Sequence, residues 1–250
     1  MRLAASGHEL VLTDSEPCDT LASQINAAGG RATTITCDLA DPAHVERFAA
    51  QVLEQAGKVD VLVNNAAFIS IAPLASITAA LWRRVLIVNV DAPFLLAQAF
   101  SLGMIEQRWG RIINLASSTV WGPPPGMSPY ASSKMAVIGL TRALAAELGA
   151  HGITVNAISP ELTRHAGNAA SLPAEAFNAV RARQFIPRIE LPDGLTGALA
   201  FLASDDAGFV TGQVSNVDGG GFAFDAWASG RKRVTGGATV RLSNSSPPRR

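Results

Sequence analysis

The sequence predicts an α/β fold in which a doubly wound, mostly parallel sheet carries helices on both faces. Short apolar runs rich in β-branched residues alternate along the chain with segments of helical spacing. Because this alternation produces βαβ units with right-handed crossovers, the strands are expected to run parallel. The composition agrees, since 48 % of residues are hydrophobic and only 6 % are aromatic. An aliphatic core of this kind is typical of helices packed on a parallel sheet.

The predicted elements follow one another at regular intervals. Strands are predicted at residues 8–14, 31–39, 59–64, 111–117, 154–158 and 213–218, and helices at residues 17–28, 41–56, 78–108, 130–150 and 193–203. Asp41 and Thr78 are expected to cap the N-termini of their helices, because short oxygen-bearing side chains accept hydrogen bonds from the first free N–H groups. Gly110 is expected just beyond the end of the long helix.

Charge and composition divide the chain into a domain and a tail. Residues 1–224 are predicted to form one domain, whereas residues 225–250 hold six Lys or Arg and one Asp and lack an apolar period. This basic tail is predicted to be disordered. The net charge of the whole chain is zero, which gives no indication of a nucleic-acid partner.

The sequence carries no signal for export or for a membrane. Cys18 and Cys37 are too few for a disulfide framework or a metal site, so a reducing cytoplasm is the expected location. The N-terminal apolar run is too short for a signal peptide. No apolar stretch is expected to reach the roughly 18 residues that a membrane span needs without polar interruption.

A serine, a tyrosine and a lysine form the most informative group of polar residues. Tyr130 and Lys134 are four residues apart and therefore share one face of a helix. Ser117 lies at the end of the preceding strand. A free phenol has a pKa near 10, and a neighbouring ammonium is expected to lower it. Such a set could protonate an alkoxide as hydride reaches carbon, although a Tyr-x-x-x-Lys spacing also occurs by chance.

Seven motifs in register give the chain its resemblance to a known family. In chain order they are "CDLAD", "VLVNNAA", "VNVDAPF", "GRIINLASS", "YASSK", "GITVNAISP" and "FLASDDAGFVTGQVSNVDGG". With these motifs the chain resembles a short-chain dehydrogenase/reductase over residues 2–221. The resemblance implies a Rossmann-like sheet, a nicotinamide cofactor, a small alcohol or ketone substrate, and assembly into a homodimer or homotetramer through the two long helices.

The resemblance also implies roles for the catalytic residues. Tyr130 is implied as general acid/base, with Lys134 as the partner that lowers its pKa and binds the cofactor ribose. Ser117 is implied to orient the carbonyl, with Ser118 as a second candidate for that role. Asn89 matches the asparagine that holds a water for proton relay. The alternative for Asn89 is a structural role at a local kink in its helix.

A second group of residues is implied to bind the cofactor. Asn64 and Ala66 would line the adenine ribose, Asp38 would contact the adenine edge, and Thr163 would contact the nicotinamide carboxamide. Asp14 ends a predicted strand where a carboxylate can accept from both ribose hydroxyls and repel a 2′-phosphate. This position favours NAD over NADP. The alternative for Asp14 is a turn or helix cap. No metal site is expected.

Other positions depart from the family pattern or bear on the substrate. Glu161 stands where the family usually has glycine, and His165 where threonine is frequent. We interpret them as a flexible lid residue and a surface histidine, the alternative being a metal or acid–base pair. Phe68, Trp121 and Phe185 suggest an apolar pocket. The motifs "NLASSTVWG" and "IPRIELPDGLTGALAFLASDDAGFVTGQ", with a residue other than glycine after Pro160, resemble 1-phenylethanol dehydrogenase-like members. This resemblance implies a secondary alcohol or its ketone. The nearest competitor is a 3-oxoacyl-thioester ketoreductase.

The start of the chain departs most strongly from the family. The family's first strand and glycine-rich turn are expected to be missing, a loss of roughly 20–25 residues from a βαβ unit of about 30. That turn normally holds the cofactor pyrophosphate. Three alternatives follow: an active oxidoreductase whose gene begins upstream, an inactive remnant or non-catalytic oligomer partner, or a binding module. The retained Ser117, Tyr130 and Lys134 argue against the last.

Overall fold

The computed structural model describes residues 1–222, which form parallel strands and packed helices. The strands are β1 (Glu9–Leu12), β2 (Arg31–Thr34), β3 (Val61–Asn64), β4 (Gly110–Leu115), β5 (Ile153–Pro160) and β6 (Val214–Val217). The helices are α1 (Arg2–Ala5), α2 (Asp19–Ala27), α3 (Pro42–Ala56), α4 (Ala79–Leu86), α5 (Ala92–Gln107), α6 (Ser128–Leu148), α7 (Ala166–Ala169), α8 (Ala174–Arg183) and α9 (Asp193–Leu202). The predicted tail lies outside the described residues, as do residues 223 and 224 of the predicted domain.

The strands form two parallel sheets. One contains β1 and β2, and the other has the order β3-β4-β5-β6. In the larger sheet Asn64 lies opposite Asn114, and Leu115 lies opposite Ile158. The doubly wound α/β architecture predicted from the sequence is therefore confirmed. Among the described strands none pairs β1 with β3, so the sheet is divided between them.

Side-chain packing joins the two sheets into one core. Val11 of β1 and the buried Ile35 belong to the same apolar cluster as Phe100 of α5 and Ile112 of β4. On the other face, Leu3 of α1 packs with a cluster that includes Val61 and Val63. The apolar faces of both sheets are thus covered by helices, as the alternating pattern predicted.

The helix ends show where local signals succeed and where packing overrides them. Asp41 Oδ1 accepts from the Ala43 N–H at 2.9 Å, and Thr78 Oγ1 accepts from the Leu81 N–H at 3.1 Å, which confirms both predicted caps. The long helix ends on Arg108, as predicted, and this residue lies in the left-handed region with φ of 55°. Gly110 already belongs to β4, and a Cβ there would lie 2.5 Å from Sδ of Met104. Close packing, not helix termination, therefore requires this glycine.

The predicted helix of residues 78–108 is interrupted by a single π turn. The turn spans Ile87–Asp91 and joins α4 to α5, with the Ala92 N–H donating to the Ile87 carbonyl. Pro93 has no N–H to donate to the carbonyl of Asn89 four residues earlier. The interruption at Asn89 is therefore encoded by the proline, and π turns of this kind are frequent at functional sites.

The helical stretch of residues 79–107 is long and apolar. By length and composition alone its 29 residues could cross a membrane, but Arg83, Arg84 and Asp91 interrupt the apolar run, as expected from the sequence. Phe100 and Met104 are 3 % and 0 % exposed and belong to the protein core. This packing accounts for the apolar composition of the stretch.

A chain of buried amides fixes β3, β4 and α6 to one another. Asn64 Nδ2 donates to Asn114 Oδ1 at 2.8 Å, and Asn114 Nδ2 donates to Thr141 Oγ1 at 2.9 Å. Thr141 Oγ1 in turn donates to the Val137 carbonyl at 2.8 Å. Each buried polar group in this chain has a partner, as a low-dielectric interior requires.

Replacing Asn114 tests how much this chain stabilises the fold. Asn114→Ala should lower the free energy of unfolding by about 2–4 kcal/mol, because it leaves the Asn64 amide and the Thr141 hydroxyl without their partner. Urea denaturation measures the change. Thr141→Val is the matched control and should cost about 1 kcal/mol, since Asn64 keeps its acceptor. Equal losses in the two variants would show that Asn114 is not the centre of the chain.

Candidate active site

Ser117 and Tyr130 come together at the carboxyl end of β4. Ser117 begins a 3₁₀ turn, and its Oγ accepts from the Thr119 N–H at 3.3 Å and the Thr119 hydroxyl at 3.0 Å. Tyr130 lies in the first turn of α6, and both side chains belong to residues that are 8 % exposed. The Ser117 hydroxyl lies near enough to the Tyr130 phenol to offset part of the rise in the pKa of Tyr130 that burial causes. The two oxygens can therefore reach the same substrate atom.

Lys134 lies one helical turn beyond Tyr130 and is buried. Its residue is 2 % exposed, and Nζ donates to the Leu115 carbonyl at 2.6 Å. The ammonium lies 5.7 Å from the centre of the Tyr130 ring. Burial lowers the pKa of Lys134 to about 8, because the charged form loses hydration. At neutral pH most of the lysine therefore still carries its charge.

The pKa of Tyr130 depends on burial and on the neighbouring Ser117. Burial raises the pKa of Tyr130, and the hydrogen bond from Ser117 opposes that shift. The lowering of the Tyr130 pKa by Lys134, expected from the four-residue spacing, stays a prediction. The phenol keeps its proton at neutral pH, which is the form that a general acid needs.

Asn89 is buried at the π turn and uses its side chain to join three parts of the site. Its Oδ1 accepts from the Phe68 N–H at 2.7 Å, while Nδ2 donates to the Phe68 carbonyl at 3.1 Å and to Ser133 Oγ at 2.9 Å. The residue is 1 % exposed. The Asn89 side chain thus holds the loop after β3 against α6. The backbone carbonyl of Asn89 receives no hydrogen bond from the residue four positions later, because Pro93 has no N–H.

The residues predicted to bind the cofactor lie along one edge of the two sheets. Asp14 and Asp38 follow β1 and β2, Asn64 ends β3, and Ala66 is exposed just beyond it. Asp14 Oδ1 accepts from the Ser15 N–H at 2.7 Å, and Asp38 Oδ1 accepts from the Ala40 N–H at 2.9 Å. Both aspartates therefore accept hydrogen bonds from the backbone that follows them. The carboxyl ends of parallel strands are also where dinucleotides bind.

Glu161 is buried, so its interpretation as a flexible lid residue is wrong. Its residue is 8 % exposed, Oε1 accepts from Ser118 Oγ at 3.0 Å, and Oε2 accepts from Arg183 Nη2 at 3.1 Å. His165 is exposed, and its Nδ1 accepts from the Gly167 N–H at the start of α7, as expected of a surface histidine. Within residues 1–222, no three His, Cys, Asp or Glu side chains form a metal cluster.

Glu190 contacts both Glu161 and Thr163, and its role was not predicted from the sequence. Its Oε2 accepts from the Glu161 N–H at 2.9 Å and from Thr163 Oγ1 at 3.2 Å. Burial raises the pKa of Glu190 to about 7, with Glu161 and Asp218 adding repulsion and the two hydrogen bonds opposing it. Thr163, the predicted carboxamide contact, is therefore held by a carboxyl group that titrates near neutrality.

The residues present fit a nicotinamide dinucleotide. The Lys134 ammonium has three hydrogens and gives one to the Leu115 carbonyl, so two remain for sugar hydroxyls. The Asp14 carboxylate, at the end of β1, is an acceptor suited to a ribose. Ser117 and Tyr130 supply the hydroxyl groups that a carbonyl substrate beside the nicotinamide would need.

A protein-family model described as enoyl-(acyl carrier protein) reductase matches residues 1–221. The chain belongs to the short-chain dehydrogenase/reductase family. It is 37 % identical to (2S)-[(R)-hydroxy(phenyl)methyl]succinyl-CoA dehydrogenase subunit BbsD of Thauera aromatica, over 88 % of this chain and 89 % of that protein. It is 35 % identical to a 3-oxoacyl-[acyl-carrier-protein] reductase of Synechocystis, over the same shares of the two chains.

A solved structure gives the same result for the fold. The gluconate 5-dehydrogenase of Burkholderia cenocepacia, in complex with NADP and tartrate, superimposes with a TM-score of 0.83. The two chains are 33 % identical, and the match covers 89 % of each. The relatives are oxidoreductases, so this family member is an enzyme of that class with a small-molecule substrate and a nicotinamide cofactor.

Glu190 should make the thermal stability depend on pH. The pKa of Glu190 is about 7 in the folded protein, above the ordinary value of 4.5. The protonated carboxyl therefore contributes its full stabilisation below pH 4.5, and this contribution is lost as the pH rises through 7. Glu190→Gln should therefore remove about 1–2 kcal/mol of pH-dependent stability, after allowance for solvent screening. Melting temperatures between pH 5 and 8 measure this.

The control for this measurement is Glu175, an exposed glutamate in α8, which precedes Glu190 in the chain. Glu175→Gln in α8 should leave the pH dependence as it is in the unaltered protein. A Glu190→Gln profile that falls as steeply as that of the unaltered protein would show that another group titrates.

Proposed function

We propose that this chain is an NAD-dependent oxidoreductase that interconverts a secondary alcohol and a ketone. The observation that carries the proposal is the meeting of the Ser117 hydroxyl, the Tyr130 phenol and the buried Lys134 ammonium at the end of β4. These groups supply a hydrogen-bond donor, a proton and a positive charge within one small region. That combination suits the transfer of a proton to an oxygen that is gaining negative charge.

Each residue has a distinct task in the proposed reduction. When bound, the nicotinamide supplies a hydride to the carbonyl carbon. Ser117 donates a hydrogen bond to the carbonyl oxygen, and Tyr130 transfers its proton to that oxygen as the C=O bond becomes a C–O single bond. The Lys134 charge stabilises the phenolate that remains. Alcohol oxidation is the reverse, with Tyr130 as the base.

Asn89 is proposed to help return the proton to Tyr130. Its side-chain amide is fully used by Phe68 and Ser133, whereas its backbone carbonyl has no donor four residues later because Pro93 lacks an N–H. We propose that this carbonyl holds a water that relays the proton through Lys134. This role is compatible with the structural role of the side chain.

The substrate is proposed to be an apolar secondary alcohol or ketone. Ile69, Trp121 and Phe185 present exposed apolar surface on the loops after β3 and β4 and after α8. The sequence similarity to 1-phenylethanol dehydrogenase-like members supports an aromatic substituent. The second candidate, a 3-oxoacyl-thioester ketoreductase, is supported by the 35 % identical Synechocystis reductase. Acetophenone and acetoacetyl-CoA, each with NADH, distinguish the two.

NAD is proposed as the cofactor on the basis of the loop that follows β1. Asp14 places a carboxylate there, and residues 13–30 contain no Lys or Arg to bind a 2′-phosphate. NADP is the competing choice, since the related Burkholderia enzyme was solved in complex with it. The assembly and location implied by the sequence stay predictions, namely a homo-oligomer in the cytoplasm.

Tyr130→Phe tests the proposed chemistry. With acetophenone and NADH, the rate should fall at least about a hundredfold, because the phenol that donates the proton is absent. NADH binding, measured by fluorescence titration, should change less than about twofold, which controls for misfolding. Turnover within about tenfold of the unaltered protein would refute the role of Tyr130.

Asp14 variants test the cofactor preference. Asp14→Asn keeps an oxygen for the Ser15 N–H but removes the negative charge. NADH affinity should fall about tenfold, and NADPH affinity should rise, because a hydrogen bond to a charged group and a repulsion are both lost. Calorimetric titration with each cofactor measures the change. Tighter binding of NADPH than NADH by the unaltered protein would contradict the NAD assignment.

A further inference from the structure

Glu161 lies where three elements near the candidate active site meet. It follows directly on β5 (its last residue is Pro160), its carboxylate accepts from Ser118 in the turn after β4, and it accepts from Arg183 at the end of α8. Ser118 is 1 % exposed and is the sequence neighbour of Ser117. One carboxylate thus contacts both the turn that carries Ser117 and a helix from a different part of the chain.

Arg183 is the cation paired with this carboxylate. Arg183 Nη2 lies 3.1 Å from Glu161 Oε2, and the two side chains are 47 % and 5 % exposed. The guanidinium also stacks on the Phe222 ring at 4.8 Å. A buried carboxylate that loses its cation is left uncompensated, which is far more costly than the loss of an exposed ion pair.

The same carboxylate lies at the start of residues 161–190, which we call the α7–α8 segment. The segment leaves the end of β5, contains α7 and α8, and returns at Glu190. Its two ends are joined because Thr163 bridges to Glu190 and the Arg164 N–H donates to the Glu190 carbonyl at 2.8 Å. The two ends of the segment are therefore held together by backbone pairing. The C-terminal end of α8 is instead tied to the site by the Glu161–Arg183 ion pair.

We propose that Glu161 is a positioning residue that couples the placement of α8 to the orientation of the turn carrying Ser117. With α8 in place, Arg183 neutralises Glu161 and the carboxylate holds Ser118. When α8 moves away, the carboxylate takes up water and Ser118 loses a fixed acceptor. The placement of α8 and the orientation of Ser117 then change together. The catalytic consequence rests on the proposed function, whereas the coupling itself does not.

Hydrogen exchange tests the coupling without substrate or cofactor. In the full chain, amide exchange of residues 174–183 should be about tenfold faster in Glu161→Gln and in Arg183→Met, because each variant removes the pair that ties α8 to the site. The double variant should show no further increase. Arg183→Lys should restore part of the protection.

Arg181→Met is the matched control, since Arg181 is an exposed arginine on the same helix. Its exchange should equal that of the unaltered protein. Unchanged exchange in Glu161→Gln and Arg183→Met, or an equal effect of Arg181→Met, would overturn the proposal. Should Glu161→Gln fail to fold, Arg183→Met, which alters a half-exposed side chain, decides alone.

Kinetics with acetophenone and NADH separate positioning from general stabilisation. Arg183→Met should raise KM about five- to tenfold and also lower kcat, because Ser118 loses its fixed acceptor once α8 is no longer tied to Glu161. Glu161→Ala should have both effects as well, because it removes the acceptor itself. An unchanged kcat in Arg183→Met would contradict the coupling. Absence of turnover by the unaltered protein with either ketone probe would count against the proposed function, while the exchange experiment would still decide the coupling.

Discussion

The hydrogen bond from Lys134 to the Leu115 carbonyl sets the spacing on which the candidate site depends. The ammonium is almost wholly buried, so it must keep an acceptor, and at 2.6 Å this carbonyl is a close one. Leu115 ends β4 two residues before Ser117, and Lys134 lies one helical turn after Tyr130 on α6. A single bond between strand and helix therefore brings the serine and tyrosine hydroxyls to a common place.

Buried amides extend this support beneath the rest of the site. Asn64 and Asn114 connect β3 to β4, and Thr141 carries the connection to α6. Asn89 adds the loop after β3 and, through Ser133, the first turns of the same helix. Since every group in these chains has a partner, α6 is held by polar contacts of defined geometry rather than by apolar packing alone.

The sequence was sufficient for those features that depend on local pattern. Strand positions and the caps at Asp41 and Thr78 follow from residues within one or two turns of one another, and the spacing of Ser117 and Tyr130 follows from a motif. The helix end at Arg108 was also predicted, but the role of Gly110 was not, because this glycine is required by the packing of Met104 rather than by the helix.

Features that depend on contacts between distant parts of the chain, or on burial, could not be predicted from the sequence. Glu190 meets Thr163 across 27 residues, and no local pattern marks either as a partner of the other. Helix α8 has little apolar periodicity and was not predicted from the sequence. The shift of the Tyr130 pKa depends on how far the ring is removed from water, which the four-residue spacing to Lys134 does not determine.

The division between β1 and β3 has a consequence for the dinucleotide groove. Asp14 and Asp38 follow the strands of the smaller sheet, whereas Ser117 follows β4 of the larger sheet and Tyr130 and Lys134 lie on α6. A hydrogen-bonded ladder fixes register residue by residue, but these sheets meet through apolar side chains, in the cluster that contains Val11 and Ile112. The distance between Asp14 and the candidate active site is thus governed by the volume of a few core side chains. Trimming one of them would alter that distance without changing any residue of the candidate site.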